Sequence, residues 1–242
     1  MTSLISYPIA ILAGGLATRL RPMTHTIPKA LIDINGEPFI NHQLRLLKKQ
    51  GFSEVVLCVG YLGEEIEKII GNGHAFGLNI QYSYDSQEKD KLFGTAGALK
   101  KALPILNSLH DAFFIMYGDS YLPCDYESIQ NKFIKDDKLG LMTIFNNQGK
   151  WDSSNVEYDG ENIIVYDKKN KNPQMQYIDY GIGVIQSKVL DSVPENTAYD
   201  LADVYKTLVS NKQLSAFEVK ERFYEIGSWS GIEETKEFLR AL

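Results

Sequence analysis

The chain has 242 residues, 44% of them apolar, and a formal net charge of −6. That length supplies one sizeable core, and the acidic balance excludes broad nucleic-acid binding, which needs a basic face. No run approaches the roughly 18 continuous apolar residues of a membrane span, and the two cysteines, Cys58 and Cys124, give neither a disulfide framework nor a zinc spacing.

The opening decamer MTSLISYPIA lacks a basic n-region, and its apolar run is too short for a signal peptide, so a cytoplasmic location is expected. Strand-length apolar runs follow at 9–13, 54–59, 78–84 and 112–117. Helical patterns lie between them at 40–50, 64–70 and 96–106; in the first, Leu44, Leu47 and Lys48 share a face and Gly51 provides a stop. This alternation predicts an α/β fold, a Rossmann-like and mostly parallel central sheet with helices on both faces. The second half is richer in strands, at 139–145, 154–158, 163–166 and 177–185, with Asp159-Gly160 as a hairpin turn. Helices are expected at 201–210 and 231–239. With no linker or repeat, residues 1–242 read as a single domain, two lobes around a cleft.

Parallel sheets bind ligands at the carboxyl ends of their strands. The first strand runs there into LAGGLATRLRPMTHTIPKAL. Gly14 and Gly15 let backbone amides approach an anion closely. Arg19 and Arg21 can fork onto phosphate oxygens, Lys29 adds a point charge, and Pro22 and Pro28 stiffen the loop. The pattern is neither G-x-x-x-x-G-K-[ST] nor G-x-G-x-x-G. It predicts a site for a small, highly charged anion; the plain alternative is a surface turn with solvated charges. Asp119 stands at a second strand end, in MYGDS, where a carboxylate suits a hard cation or merely caps a turn.

The stretch LAGGLATRLRPMTHTIPKAL resembles the signature GG-x-G-T-R-L-x-P-x-T-x-x-x-P-K of the sugar-1-phosphate nucleotidyltransferases. INGEPFINHQLRLLKKQGFSEVVLCVGYLGEEI, LFGTAGALKKAL, MYGDS and YEIGSWSGIEE are similar to later segments of that family, in the same order. The resemblance implies that a nucleoside triphosphate and a sugar 1-phosphate give a nucleotide sugar, for uses such as cell-surface polysaccharide, and pyrophosphate. It also implies that about 1–125 form the nucleotide-binding half and about 126–242 the acceptor-binding half. Leu12, Ala13, Gly14 and Gly15 would hold the triphosphate, with Gly94, Thr95 and Gly97 at the ribose and base. Arg19 and Lys29 would be catalytic, stabilising charge on the transferring phosphate, with Arg21 a helper. Asp119 and Glu225 would hold Mg²⁺, Gly227 and Ser228 shaping the turn beside Glu225. Lys168 would grip the sugar phosphate, and Asp179 and Gly181 would face sugar hydroxyls. Lys168 also reads as part of a solvated basic run, and Asp179 as a solvent-facing strand residue.

Three departures from the family pattern stand out. Ala17 replaces a glycine, and alanine is expected to avoid positive φ there. Glu225 replaces an aspartate and is one methylene longer; the plain alternative is an exposed strand-end acid. DSQEKDKLF is a longer approach to the base motif than usual, with Gln87 and Glu88 as base-contact candidates. Thr95 reads as the N-cap of its helix. Trp151 and Asn155 are candidates for the sugar site or for packing, and the four histidines read as incidental. The terminal helix, through Ile232, Thr235, Phe238 and Leu239, is expected to pack on the body, with a homo-oligomer contact as the alternative.

Short family members include heptose 1-phosphate guanylyltransferases and N-acetylmuramate 1-phosphate uridylyltransferases. The expected pair is GTP with mannose or heptose 1-phosphate. One rival is a cytidylyl or uridylyl enzyme, with another sugar or a non-sugar phosphate acceptor. The other is a catalytically silent subunit that senses nucleotide sugars. Neither nucleic acid nor membrane is an expected partner.

Overall fold

The structure is a computed structural model that describes residues 5–86, 88 and 91–242. In chain order the elements are β1 (Ile9–Leu12), β2 (Asp33–Ile34), β3 (Glu37–Pro38), α1 (Phe39–Lys49), β4 (Glu54–Val59), α2 (Gly63–Ile70), β5 (Asn79–Tyr84), α3 (Gly94–Leu109) and β6 (Ala112–Tyr117). Then come β7 (Ser120–Tyr121), α4 (Tyr126–Asp136), β8 (Gly140–Asn146), β9 (Val156–Tyr158), β10 (Ile163–Tyr166), β11 (Tyr177–Gln186), α5 (Leu201–Ser210), β12 (Leu214–Val219), β13 (Tyr224–Glu225) and α6 (Trp229–Arg240).

One nine-stranded sheet runs through both halves of the chain, in the order β10-β9-β11-β6-β1-β4-β5, with β8 pairing β11 and β12. Strands β6, β1, β4 and β5 are parallel, Ile11 standing opposite Leu57 on one side and Met116 on the other. Strand β11 enters antiparallel to β6, and also pairs β8 and β9. Its register on β8 shifts between Asp179 and Gly183, and Gly181 sits in that irregularity at φ +106°. A residue with a Cβ is strained at that angle.

Side chains alternate across the sheet, so β1 sends Ile9 and Ile11 into one core and Ala10 into the other. The first core is closed by α1, α2 and α4, the second by α3 and α5. Ile11, with no exposed surface, is worth about 2–3 kcal/mol of burial. A third cluster joins Leu20, Ile32 and Ile34 to Ile226 and Ile232, fastening the basic loop and the start of α6 to each other. Among the described residues no helix is long and apolar enough to cross a membrane.

The short strands β2, β3, β7 and β13 go beyond the sequence reading, and so do two longer elements. Helix α4 is capped by Asp125, whose side chain accepts from Ser128 N, and buries Tyr126, Ile129 and Phe133. Strand β12 lies parallel to β8 and extends the sheet.

Candidate active site

The carboxyl ends of β1, β4, β5 and β6 open into a cavity of about 240 Å³. Leu12, Ala13, Gly14 and Gly15 form one wall, with Gly94 and Thr95 at the start of α3 opposite. A larger cavity, about 700 Å³, lies beside it and is lined by Arg19, Lys168, Asp179, Gly181 and Glu225 among others. Ala17, Lys29, Tyr117 and Asp119 line both cavities and so mark where they meet.

At that junction Lys29 Nζ lies 2.6 Å from Asp119 Oδ2, while Ser120 Oγ donates to the other oxygen at 3.2 Å. Glu225 comes from β13, which pairs with β7 directly after Asp119. Its carboxylate accepts from Gly227 N and Ser228 Oγ, and Ser228 Oγ accepts from Gly231 N, so the acid sits against the first turn of α6. Glycine is required there, since a Cβ on Gly231 would run into the Glu225 carboxylate and fall 2.5 Å from the Glu225 backbone oxygen. A Cβ on Gly227 would lie 2.7 Å from Glu225 Oε2, 3.0 Å from Lys29 Nζ and 3.7 Å from Asp119 Oδ2. The three charged groups thus face one small gap that the glycine leaves open.

The wall of the larger cavity is held by hydrogen bonds around Asp179. Its carboxylate accepts from Tyr166 Oη at 3.2 Å and Gly181 N at 3.1 Å, and its amide donates to Asn155 Oδ1 at 2.9 Å. Burial pushes the Asp179 carboxyl up, against the lowering pull of Lys168 and these donors. Burial and then the Asp179 charge push the Tyr117 hydroxyl well up, so it stays protonated, and it accepts from Lys168 Nζ at 3.3 Å.

A carboxyl harder to ionise in the folded chain than in the unfolded one makes stability fall as pH rises from the ordinary carboxylate range through the raised value. Asp179→Asn removes that dependence. Its Tm relative to the parent should rise between about pH 4 and pH 7. A difference in Tm that stays constant across that range would refute the assignment.

Several expectations are corrected. Ala17 does adopt a positive φ, +46° with ψ 47°. Its carbonyl is fixed by Thr24 Oγ1 at 2.8 Å and Leu20 N at 3.1 Å, contacts that oppose a conformational cost of about 1–2 kcal/mol. Thr95 is not the N-cap of α3, because that helix begins one residue earlier, at Gly94. Its hydroxyl instead donates to Asp200 Oδ1 at 3.0 Å and accepts from Leu201 N at 2.7 Å, capping α5. Gly97 lines neither cavity; a Cβ there would meet Thr197 O at 2.6 Å, so it serves the packing of α3 on that segment. Arg21 is exposed and lies outside both linings. Gln87 lies outside the described residues, and Glu88 is exposed and paired with Lys91 at 2.8 Å.

Asp85 and Tyr117 are among the cavity residues that the sequence reading does not single out. Both stand at or just past the carboxyl end of a parallel strand, which is the signal that marks them. Asp85 accepts from Phe93 N at 3.1 and 3.0 Å, and burial raises its carboxyl in spite of those bonds. Cys58, in the same cavity, is buried and its thiol is pushed up to about 12, so it stays a neutral wall rather than a nucleophile.

Over 214 residues the chain is 32% identical to the UTP–glucose-1-phosphate uridylyltransferase of Synechocystis sp., covering 83% of this chain and 55% of that protein. It is 26% identical over 242 residues to a mannose-1-phosphate guanyltransferase of Gibberella zeae, covering 95% and 61%. The chain therefore spans 55–61% of the length of these curated relatives. A Bacillus anthracis protein solved in complex with sucrose shares the fold, with a TM-score of 0.84 at 20% identity, over 98% of this chain and 96% of that one. The nucleotidyl transferase family matches residues 9–241, from the first residue of β1 to just past α6, and the chain belongs to that family.

Proposed function

We propose that this chain transfers a nucleoside monophosphate from a nucleoside triphosphate to a sugar 1-phosphate, in the cytoplasm, and releases pyrophosphate. The observation that carries the reading is the pair of cavities joined at Lys29, Asp119, Tyr117 and Ala17. The smaller one, with its glycine loop, suits the nucleotide. The larger, with Lys168 and Asp179, suits a phosphorylated polyol.

The phosphate of a sugar 1-phosphate has a second pKa of about 6 and is mostly dianionic at neutral pH. It attacks the α-phosphorus, the new P–O bond forms, and the bond to pyrophosphate breaks with its electron pair. No protein base is required, which fits a site whose cysteine is held protonated. The chain's task is alignment and charge neutralisation. Lys29 reaches both substrates' cavities, Arg19 stands at the acceptor side of the loop, and Lys168 reaches over Tyr117 to the incoming phosphate.

Mg²⁺ fits the gap beside Gly227, because two carboxylates face it and phosphate oxygens complete the oxygen-rich shell this cation prefers. Among the described residues no group of three acids, histidines or cysteines could hold a metal ion by itself, so substrate oxygens would have to supply further ligands. Asp119 and Glu225 would hold the ion, which supplies neutralisation of phosphate charge when bound.

For the base, the favoured partner is guanine. Asp85 lines the nucleotide cavity beside Cys58, Leu92 and Ala98. A carboxylate there accepts from the adjacent N1–H and N2–H₂ donors of guanine, whereas uracil offers one N–H between two carbonyls. The mannose-1-phosphate guanyltransferase relative supports the same pairing, and the Synechocystis relative supports UTP with glucose 1-phosphate as the second pair to try. The deciding experiment measures pyrophosphate release for each ribonucleoside triphosphate and dTTP against several sugar 1-phosphates, with and without Mg²⁺. Release with GTP and mannose or heptose 1-phosphate is the expected result. Silence across the panel would reject the transferase reading.

A further inference from the structure

The larger cavity has a wall that the proposed chemistry does not use. Trp151 lines it from the turn between β8 and β9, and its indole is 45% exposed. That turn is braced from within by the fully buried Asn147, whose Nδ2 donates to Asp152 O at 2.6 Å and Ser154 Oγ at 3.1 Å. Asn147 Oδ1 accepts from Trp151 N at 3.2 Å. The backbone is thereby set, but these bonds leave the indole's own position open.

Arg222 settles that position. Its guanidinium carbon lies 3.4 Å from the Trp151 ring centroid and 4.9 Å from that of Tyr224. Tyr224 in turn stacks on Phe238 of α6, centroids 3.9 Å apart and planes 14° from parallel. Arg222 also pairs with Glu234 of α6, while its Nε is buried without a hydrogen-bond partner among the described residues. The guanidinium is thus held by stacking and one ion pair rather than by a full set of hydrogen bonds. Lysine has no planar face to supply this contact. The stack joins three chain segments: the Trp151 turn, the strand that carries Glu225, and α6. Arg222 is absent from the lining of the larger cavity and stacks on Trp151, which does line it.

We infer that Trp151 is an acceptor-contact residue and that Arg222 is the positioning residue that holds its indole as the wall of the acceptor cavity. The inference rests on the proposed reading of that cavity as the sugar 1-phosphate site. An indole offers a broad apolar face with one N–H donor, suited to a pyranose ring that presents C–H groups on its face and hydroxyls at its edge.

The chain has two tryptophans, and Trp229 is exposed and outside both cavities, so Trp229→Phe leaves Trp151 as the sole indole reporter. In that background, mannose 1-phosphate and glucose 1-phosphate are titrated while Trp151 emission is followed. GTP and UTP affinities are measured separately by thermal shift. A saturable change in Trp151 emission with a sugar phosphate is expected. Arg222→Met should move the emission of the free protein and weaken the sugar phosphate by about three- to five-fold, the scale of a partly exposed cation–π contact. Nucleotide affinity should stay within about two-fold, below the ten-fold that a 1.4 kcal/mol contact gives. Arg222→Lys should resemble Arg222→Met, whereas Trp151→Phe should retain more affinity than Trp151→Ala. The inference is overturned if the sugar phosphate saturates the protein without moving Trp151 emission. It is equally overturned if Arg222→Met leaves sugar-phosphate affinity intact, or weakens both substrates alike. Absence of saturable binding by either sugar phosphate, read by thermal shift as well, would overturn the acceptor reading itself.

Discussion

Lys29→Met is expected to lower the rate of pyrophosphate release by about 10²–10³-fold, the effect of removing one preorganised charge-stabilising group from a transition state. The side chain lines both cavities, so on the proposed reading its charge would face the phosphorus centre where the two substrates meet. Methionine keeps most of the stem and removes the charge. The competing explanation is lost stability, and magnitudes separate the two. The ion pair with Asp119 is partly solvent-exposed, with the aspartate side chain 37% accessible. A pair in that setting is worth about 0–1 kcal/mol. A rate loss of that size corresponds to about 2.7–4 kcal/mol. The thermal midpoint should therefore fall by only a few degrees while turnover collapses. Arg19→Ala should behave similarly, with less effect on stability, because Arg19 is exposed and lines the larger cavity. Turnover within about five-fold of the parent, well short of the loss that a charge-stabilising group brings, would remove Lys29 from the proposed chemistry.

Much of the site was legible in the sequence because the parallel half of the sheet obeys local rules. Apolar runs of strand length alternate with helices of 3.6-residue period, and this fixes which strand ends carry the loops. Gly14, Gly15, Lys29 and Asp119 follow directly from that placement. What escaped depends on distant partners. Thr95 looks like a helix cap by its neighbours, yet its hydroxyl belongs to α5, 105 residues away, because Asp200 and Leu201 are brought against it by the packing of α5 on α3. Gly97 looks like a ligand glycine, but the segment around Thr197 occupies its free face. Ala17 looks excluded from positive φ by its Cβ, and is held there by Thr24, whose contact only the folded loop creates. Strand β12 has an ordinary apolar pattern, and its place beside β8 is decided by pairing across the sheet.

Asp119→Asn is the complementary test, because it should alter the cation requirement rather than the rate alone. Asparagine keeps the shape and an oxygen acceptor for Ser120 Oγ, and it removes the charge that faces the gap beside Gly227. A hard divalent cation bound through one or two carboxylates loses much of its attraction when one becomes neutral. The concentration of Mg²⁺ giving half-maximal pyrophosphate release is expected to rise by about 10-fold or more, as a charge-assisted contact worth more than 1.4 kcal/mol implies. Lys29→Met should leave that concentration far less changed, since it removes a positive neighbour of the same gap. Glu225→Gln will be harder to read, because the Glu225 carboxylate also fastens the first turn of α6 through Gly227 and Ser228. A lower thermal midpoint with Glu225→Gln, and an unchanged one with Asp119→Asn, would assign the two acids different structural burdens at one site. An unaltered Mg²⁺ requirement together with parental turnover in Asp119→Asn would exclude Asp119 as a holder of the cation and leave its pairing with Lys29 as its whole role.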